Sequence, residues 1–551
     1  MKALPLKLLV PILLPLIAAC STVSQPSTPE AKLFPGLDSF GKTITTESAQ
    51  AQAYFNQGMT LLYGFNHEEA YRSFEHAARL DPEAAMAYWG MSYAVGMNIN
   101  DQEMTDDRWQ RGSHNAEMAM SVLDNEQDWE QALVNALSHR YVYPAPVDKR
   151  QYDEAYAEAM RAVYANFGED PDIACLFAES LMDLQPWDYW TIEGKEPKGE
   201  IETVLAALEL ALQKDPQHPG AAHFYIHAME AGPNPAKAVP FAEGLEDRIP
   251  GSGHLVHMPS HIYVRVGRYD DAAEANVRAV AADKKYFSQA DDIGMYFMYY
   301  GHNQHFLAYA SMMGARYDDA IAAARELIAD MPEGALIEIA PFVEGIMATD
   351  YHVMVRFGKW EEILKMQKPE GDHRKISRAV HHYARGIALA VLDRTEEARH
   401  EQVLFLQERE NVPDDWLIMI NPAHDVLPIA EAMLEGEIAY REGRLEEAWE
   451  ALQRGIEAED RLIYDEPPAW MLPVRHSKGA LMLEAGLAKE AELLYREDQE
   501  RHPGNGWSLL GLSQALAAQG KMTESAGYAE RAKQAWKGAG VMPTSSCMCA
   551  P

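Results

Sequence analysis

The chain has 551 residues, 47% of them hydrophobic, and a formal net charge of -36. That length suits several domains or one long repeat array, and the apolar fraction is enough to bury a large core. The acidic balance argues against nucleic acid as a partner, because phosphate binding needs a basic surface. It favours solubility and a weak attraction for cations.

At the N-terminus, Lys2 and Lys7 accompany a short apolar run, LLVPILLPLIAAC, interrupted by Pro11 and Pro15. The run is too short and too broken for a spanning helix, so residues 1–20 read as a targeting segment. Its end, Ile17-Ala18-Ala19-Cys20, resembles a bacterial lipobox. The resemblance implies lipidation of Cys20 and a membrane-anchored lipoprotein. Ser21 rather than Asp follows the cysteine, which by the same resemblance implies the outer membrane, facing the periplasm. A plain secretory signal with a chance cysteine is the alternative. Residues 21–45, rich in Ser, Thr and Pro, read as a flexible tether.

From residue 46 the chain predicts helix pairs and no alternating strands. The unit is seen in AYFNQGMTLLYGFNHEEAYRSFEHAARLDP. Counted from Ala51 as position 1, it has Tyr54 at 4, Gly58 at 8, Ala70 at 20, Phe74 at 24, Ala77 at 27 and Pro82 at 32. This resembles the tetratricopeptide repeat (TPR), a 34-residue helix-turn-helix. The register recurs in GRYDDA (267–272), GRLEEA (443–448) and GLAKEA (486–491), with variants ARYDDA, GKWEEI, DRTEEA and GKMTES. Several units close on proline, as at Pro216, Pro250, Pro332 and Pro503. The expectation is an all-α, right-handed superhelix of TPR-like repeats. It divides into an N-terminal part (46–215), a central histidine-rich part (216–372) and a C-terminal part (373–540), followed by a tail (541–551). Residues 100–200 fit least well, and the loop LQPWDYWTIEGKEPKGE (184–200) is explained by no repeat. A broader resemblance to bacterial TPR proteins with the phrases FNQGMTLLYGFNHEEA and HMPSHIYVRVGRYDDA concerns the fold and not the function.

In the TPR family, positions 2, 5, 9, 12 and 13 of each first helix face the concave groove. In this frame His223 and His227 fall at 5 and 9. His254, His257 and His261 fall at 2, 5 and 9 of the next repeat, His302 and His305 at 2 and 5 of the third, and His352 at 9 of the fourth. All eight histidines between Pro219 and Gly371 are thus groove positions, where the overall histidine frequency gives roughly one by chance.

Imidazole suits zinc, copper, iron and nickel. His223/His227 and His257/His261 are i,i+4 pairs, the spacing by which one helix offers two ligands to one ion. A divalent transition metal is expected, zinc or copper ahead of iron, and two ions are conceivable. Glu230, at position 12, suits an oxygen ligand or a general base and is the expected catalytic group if there is chemistry. Tyr225, Tyr263, Asn303 and Tyr309 are expected to orient ligands. Arg265 and Arg356, at position 13, are expected to hold a small anionic ligand. Pro259 leaves two alternatives. It kinks one helix, or it starts a helix and leaves His254 and His257 in a loop.

Elsewhere the signal thins. Cys175 reads as a buried small hydrophobe. Cys547 and Cys549 suit a soft metal or a disulfide with another thiol. His381, His382 and His476 read as structural, and Trp187, Tyr189 and Trp190 as groove lining or core. There is no phosphate loop, nucleophile elbow or dinucleotide fingerprint. The leading expectation is therefore an envelope TPR lipoprotein with a metal site for metal handling or metal-assisted chemistry. The rival is a periplasmic adaptor that binds a peptide or protein without metal.

Overall fold

A computed structural model describes residues 32–192 and 194–550. The leader, Cys20 and the first part of the expected tether lie outside the described residues. Among the described residues no helix is long and apolar enough to cross a membrane.

The repeat signature explains itself in the first unit. Asn66 caps the helix His67–Leu80 by accepting from the Glu69 N–H, and Glu68 and Glu69 place negative charge in its first turn. Phe74, fully buried, fills the space between three helices. A Cβ on Gly58 or Gly90 would stand 2.5 or 2.4 Å from its ring, so both positions must be glycine for the helices to close on it. Antiparallel pairs of this kind continue to the end of the array. Examples are Phe297–Met313 with Tyr317–Asp330, Lys375–Val391 with Thr395–Glu410, and Ala423–Arg441 with Leu445–Glu459. The result is the expected all-α, TPR-like solenoid. The loop 184–200 separates the two helices of one pair, Pro171–Met182 and Ile201–Lys214.

The superhelix closes on itself. The indole N–H groups of Trp507 and Trp536, in the last pair, donate to the carbonyls of Met312 (3.0 Å) and Met313 (3.2 Å) at the end of a central helix. Gly267 lies against Pro503 and Gly504, where a Cβ would meet the Pro503 carbonyl. This winding brings residues hundreds of positions apart around one interior.

Both ends of the described chain pack into it. The flexible tether is corrected for residues 32–45: Phe34, Leu37, Phe40 and Ile44 are buried in the core. Phe40 packs edge-on against Tyr63 and His218 at ring distances of 5.7 and 5.2 Å. The Gly36 carbonyl accepts from the Gly251 N–H at 3.0 Å. Apolar residues spaced three or four apart within a polar segment are what the compositional reading overlooked.

The C-terminal tail lies across first helices of the later repeats. The Ser546 carbonyl accepts from Arg356 at 3.2 Å, its hydroxyl donates to the His476 carbonyl at 2.9 Å, and Arg441 donates to the Cys549 carbonyl. Cys547 and Cys549 are disulfide-bonded to each other, not to a third thiol, and Cys175 is free and buried as expected.

Phe40→Ala is expected to lower unfolding free energy by about 3 kcal/mol, the low end for deleting a buried phenyl ring. Chemical denaturation reads it directly, whereas a true tether would leave the midpoint unchanged.

Candidate metal centre

Seven of the eight central histidines come from three consecutive first helices. Pro219–Glu230 carries His223 and His227. The next is split into Gly253–His257 and Pro259–Arg265, and Phe297–Met313 follows with His302 and His305. Both alternatives for Pro259 are partly right. It is the first residue of a new helical segment, but Met258 keeps helical dihedrals (φ -49, ψ -38). The Met258 N–H still donates to the His254 carbonyl at 3.1 Å. The turn therefore continues through the break, and His257 and His261 stay on one face, their Nε2 atoms 2.8 Å apart.

Six of the eight histidines converge into two groups. His223, His227 and His254 form one, and His257, His261 and His302 the other; within each group the candidate ligand nitrogens lie within 4.8 Å of one another. Two nitrogens each about 2.0–2.1 Å from one tetrahedral ion stand about 3.3 Å apart. The Nε2 atoms of His223 and His254 are at 3.1 Å. Five of the six rings are buried and His302 is half-buried.

Hydrogen bonds on the far side of the rings set the tautomers. Nδ1 of His257 faces the Asn276 side-chain oxygen at 2.7 Å, and the Asn276 amide nitrogen is committed to the Ala272 carbonyl. Nδ1 of His261 faces one Glu230 oxygen at 2.7 Å, and Nδ1 of His227 faces the other at 2.7 Å. Nδ1 of His223 faces the Tyr63 carbonyl at 2.6 Å. All four partners are acceptors, so all four Nδ1 atoms carry the hydrogen and the Nε2 lone pairs point inward. The lone pairs of His257 and His261 face each other with no donor between them. His227 Nε2 and His254 Nδ1 are buried without a hydrogen-bond partner. His227 Nε2, with its hydrogen on Nδ1, is a buried acceptor, costly unless a proton or cation lies beside it.

Burial, reinforced by neighbouring imidazoles, depresses the pKa of His223, His254, His257 and His302 well below 6.5. Burial also lowers that of His227. These rings are neutral near pH 7, the form that ligates metal.

Glu230 does not have the geometry of a general base. It is fully buried and each carboxylate oxygen is committed to a histidine. Burial alone would raise its pKa, but His261 and His227 together hold it down at about 2. Its role here is to orient two imidazoles.

Several expected partners point elsewhere. Tyr225 and Tyr263 donate to Glu209 (2.9 Å) and Glu246 (3.0 Å), away from the histidines. Asn303 donates to Asp283 at 2.7 Å, and Tyr309 is buried in the core. Arg265 stacks over Tyr464 at 5.1 Å. Arg356 is held by Trp507, His476 and the tail. His305 and His352 belong to neither group; the His352 ring stands edge-on to Trp470 at 4.8 Å.

The residue that the sequence reading missed is Phe65. Its ring lies 4.5 Å from His223 and is stacked on His254 at 5.4 Å and on His227 at 6.2 Å. Phe65 has φ +56, a left-handed conformation costly for an aromatic residue. In the repeat register it stands where Gly267, Gly443, Gly486 and Gly520 stand in other units, all with positive φ. A phenylalanine at the glycine position was a visible signal. The unexplained loop adds Trp187, with its ring 5.0 Å from His227 and its N–H on Asn100 at 3.1 Å. Beside the histidines lies a cavity of about 780 Å³. Its lining includes His227, His254, His261, His302, Phe65, Trp187 and Tyr299, with Glu68, Asp101 and Glu466 among its acidic groups.

No family model and no curated protein matches the chain. Among solved structures, the human IFIT1 dimer with m7Gppp-AAAA is similar at 13% identity and a TM-score of 0.33, over 91% of this chain and 92% of that one. Yeast Tom70 is similar at 12% identity and a TM-score of 0.28, over 87% and 90%. Scores this low transfer no ligand and no role.

Four histidines outside the two groups, three buried and His67 half-buried, predict acid sensitivity. Burial, with nearby positive charge or imidazole for three of them, lowers His67 and His305 to about 3 and His352 and His381 to about 4. Below pH 6.5 the unfolded chain binds protons that the folded chain refuses. Their contribution to stability is complete above 6.5 and is lost as pH falls toward 3–4. The melting temperature of metal-free protein should fall between pH 7 and pH 5, and His305→Gln with His352→Gln should shrink that fall.

Proposed function

We propose that this TPR-like protein binds a divalent transition metal through the imidazoles of its central repeats. Zinc or copper fits the all-nitrogen donor set ahead of iron. The observation that carries the reading is the pairing of His257 and His261, whose Nδ1 atoms are committed to acceptors and whose Nε2 lone pairs meet at 2.8 Å. The unpartnered, buried His227 Nε2 supports it independently. A three-histidine set leaves a fourth position open, the arrangement that suits metal-assisted chemistry on a ligand in the adjoining cavity as well as metal handling. When bound, the ion would supply a Lewis acid or an activated water. The protein's own residues supply the tautomers, the ring orientation and the partial exclusion of solvent.

The same proposal includes the cellular setting: an envelope lipoprotein anchored through Cys20, at the outer membrane and facing the periplasm. It rests on the lipobox-like end of the leader.

The adaptor reading has one observation in its favour. The tail around Ser546 already lies across a first helix of the central repeats, at Arg356, and one of the C-terminal repeats, at His476, so that face accommodates peptide.

Metal analysis of protein purified without added ions separates the two. Stoichiometric zinc or copper is expected, with marked loss in His223→Ala and His257→Ala. No stoichiometric metal, together with peptide capture that persists in chelator, would sink the metal reading and leave the adaptor.

A further inference from the structure

The two histidine groups stand side by side in the interior. Three observations join them. The first is Glu230. One of its oxygens accepts from His227 of the first group and the other from His261 of the second, each at 2.7 Å, and the side chain is fully buried. A single carboxylate therefore sets the tautomer of one ligand in each group.

The second is distance. Across the groups, the rings of His227 and His261 are 5.6 Å apart and those of His254 and His257 5.9 Å. The spacing is that of neighbours in one cluster. The third is access. The cavity is lined by two members of each group, His227 and His254 from the first and His261 and His302 from the second. Both groups border one space.

We infer that the two groups form a single dinuclear centre that takes two divalent transition-metal ions, coupled through Glu230 and open on one shared face. The inference rests on the metal reading above. Each group supplies three imidazoles and only one carboxylate serves both, so the first ion raises the electrostatic cost of the second. Binding is then stepwise, with the second ion held roughly 5- to 150-fold more weakly, the usual range for coupled sites.

Glu230→Gln tests the coupling in a way that simple loss of charge does not. The amide oxygen can accept from one Nδ1–H. The amide nitrogen is a donor and forces the other histidine to move its hydrogen to Nε2, where it can no longer ligate. The variant should keep one site and lose the other.

The experiment is a copper(II) titration of the metal-free full chain, followed by calorimetry and electron paramagnetic resonance. Wild type should bind two equivalents, giving an isolated-ion signal at the first and a broadened, dipole-coupled signal at the second. Glu230→Gln, with wild-type circular dichroism, should stop at one equivalent with an isolated signal throughout. One equivalent in the wild type, or two equivalents with two isolated signals, overturns the dinuclear centre while metal binding stands. Absence of any binding overturns the metal reading itself. The wild-type arm decides the matter even where the variant fails to fold.

Discussion

The buried carboxylate of Glu230 is the constraint around which the centre of this protein is arranged. Placing a carboxylate in a fully desolvated position is expensive unless each oxygen is met by a donor. Here both donors are imidazole N–H groups, and meeting them turns the opposite edge of each ring inward. The interaction that makes Glu230 tolerable is therefore the one that aims His227 and His261. Asn276 and the Tyr63 carbonyl do the same for His257 and His223. Four acceptors behind the rings leave four lone pairs in front, and those of His227, His257 and His261 meet no protein donor.

That arrangement requires a rigid frame, and the superhelix supplies it by closing. A TPR array in isolation has an open groove whose two ends do not meet. Here the last helix pair bonds to the end of Phe297–Met313, and the strap at residues 32–45 packs beside Tyr63. The turn after Ala49–Tyr63 thereby reaches the central repeats, where Phe65 lies against three histidines and Tyr63 accepts from His223. The strained backbone at Phe65 is held by this packing, and its ring helps exclude water from the lone pairs.

The fold was legible because each repeat is a local statement. Gly58, Ala70, Phe74 and Ala77 are spaced by helix geometry, and repetition of the pattern along the chain left little choice of architecture. The histidine positions were legible for the same reason, since the frame alone placed all eight on first helices. The frame did not separate the six that converge from His305 and His352. It gave Arg265 and Arg356 to the groove, whereas an aromatic ring and the tail hold them, and Tyr225 and Tyr263, expected to orient ligands, donate to carboxylates instead. It also read the strap by composition, although Phe34, Leu37, Phe40 and Ile44 are enough to anchor it.

What the sequence by itself determined is periodic: helix pairs, the small residues between them, and the i,i+4 pairs His223/His227 and His257/His261. These depend on contacts within one turn or one repeat. Only the tertiary structure decided which lone pairs meet. That outcome depends on Tyr63, Asn276 and Glu230 arriving behind the rings from different parts of the chain. It depends also on Met258 keeping the helix turning through Pro259. The physical reason is range. Helical spacing is set by neighbours a few residues away, whereas the tautomer of a buried imidazole is set by whichever acceptor the whole superhelix brings to its other nitrogen.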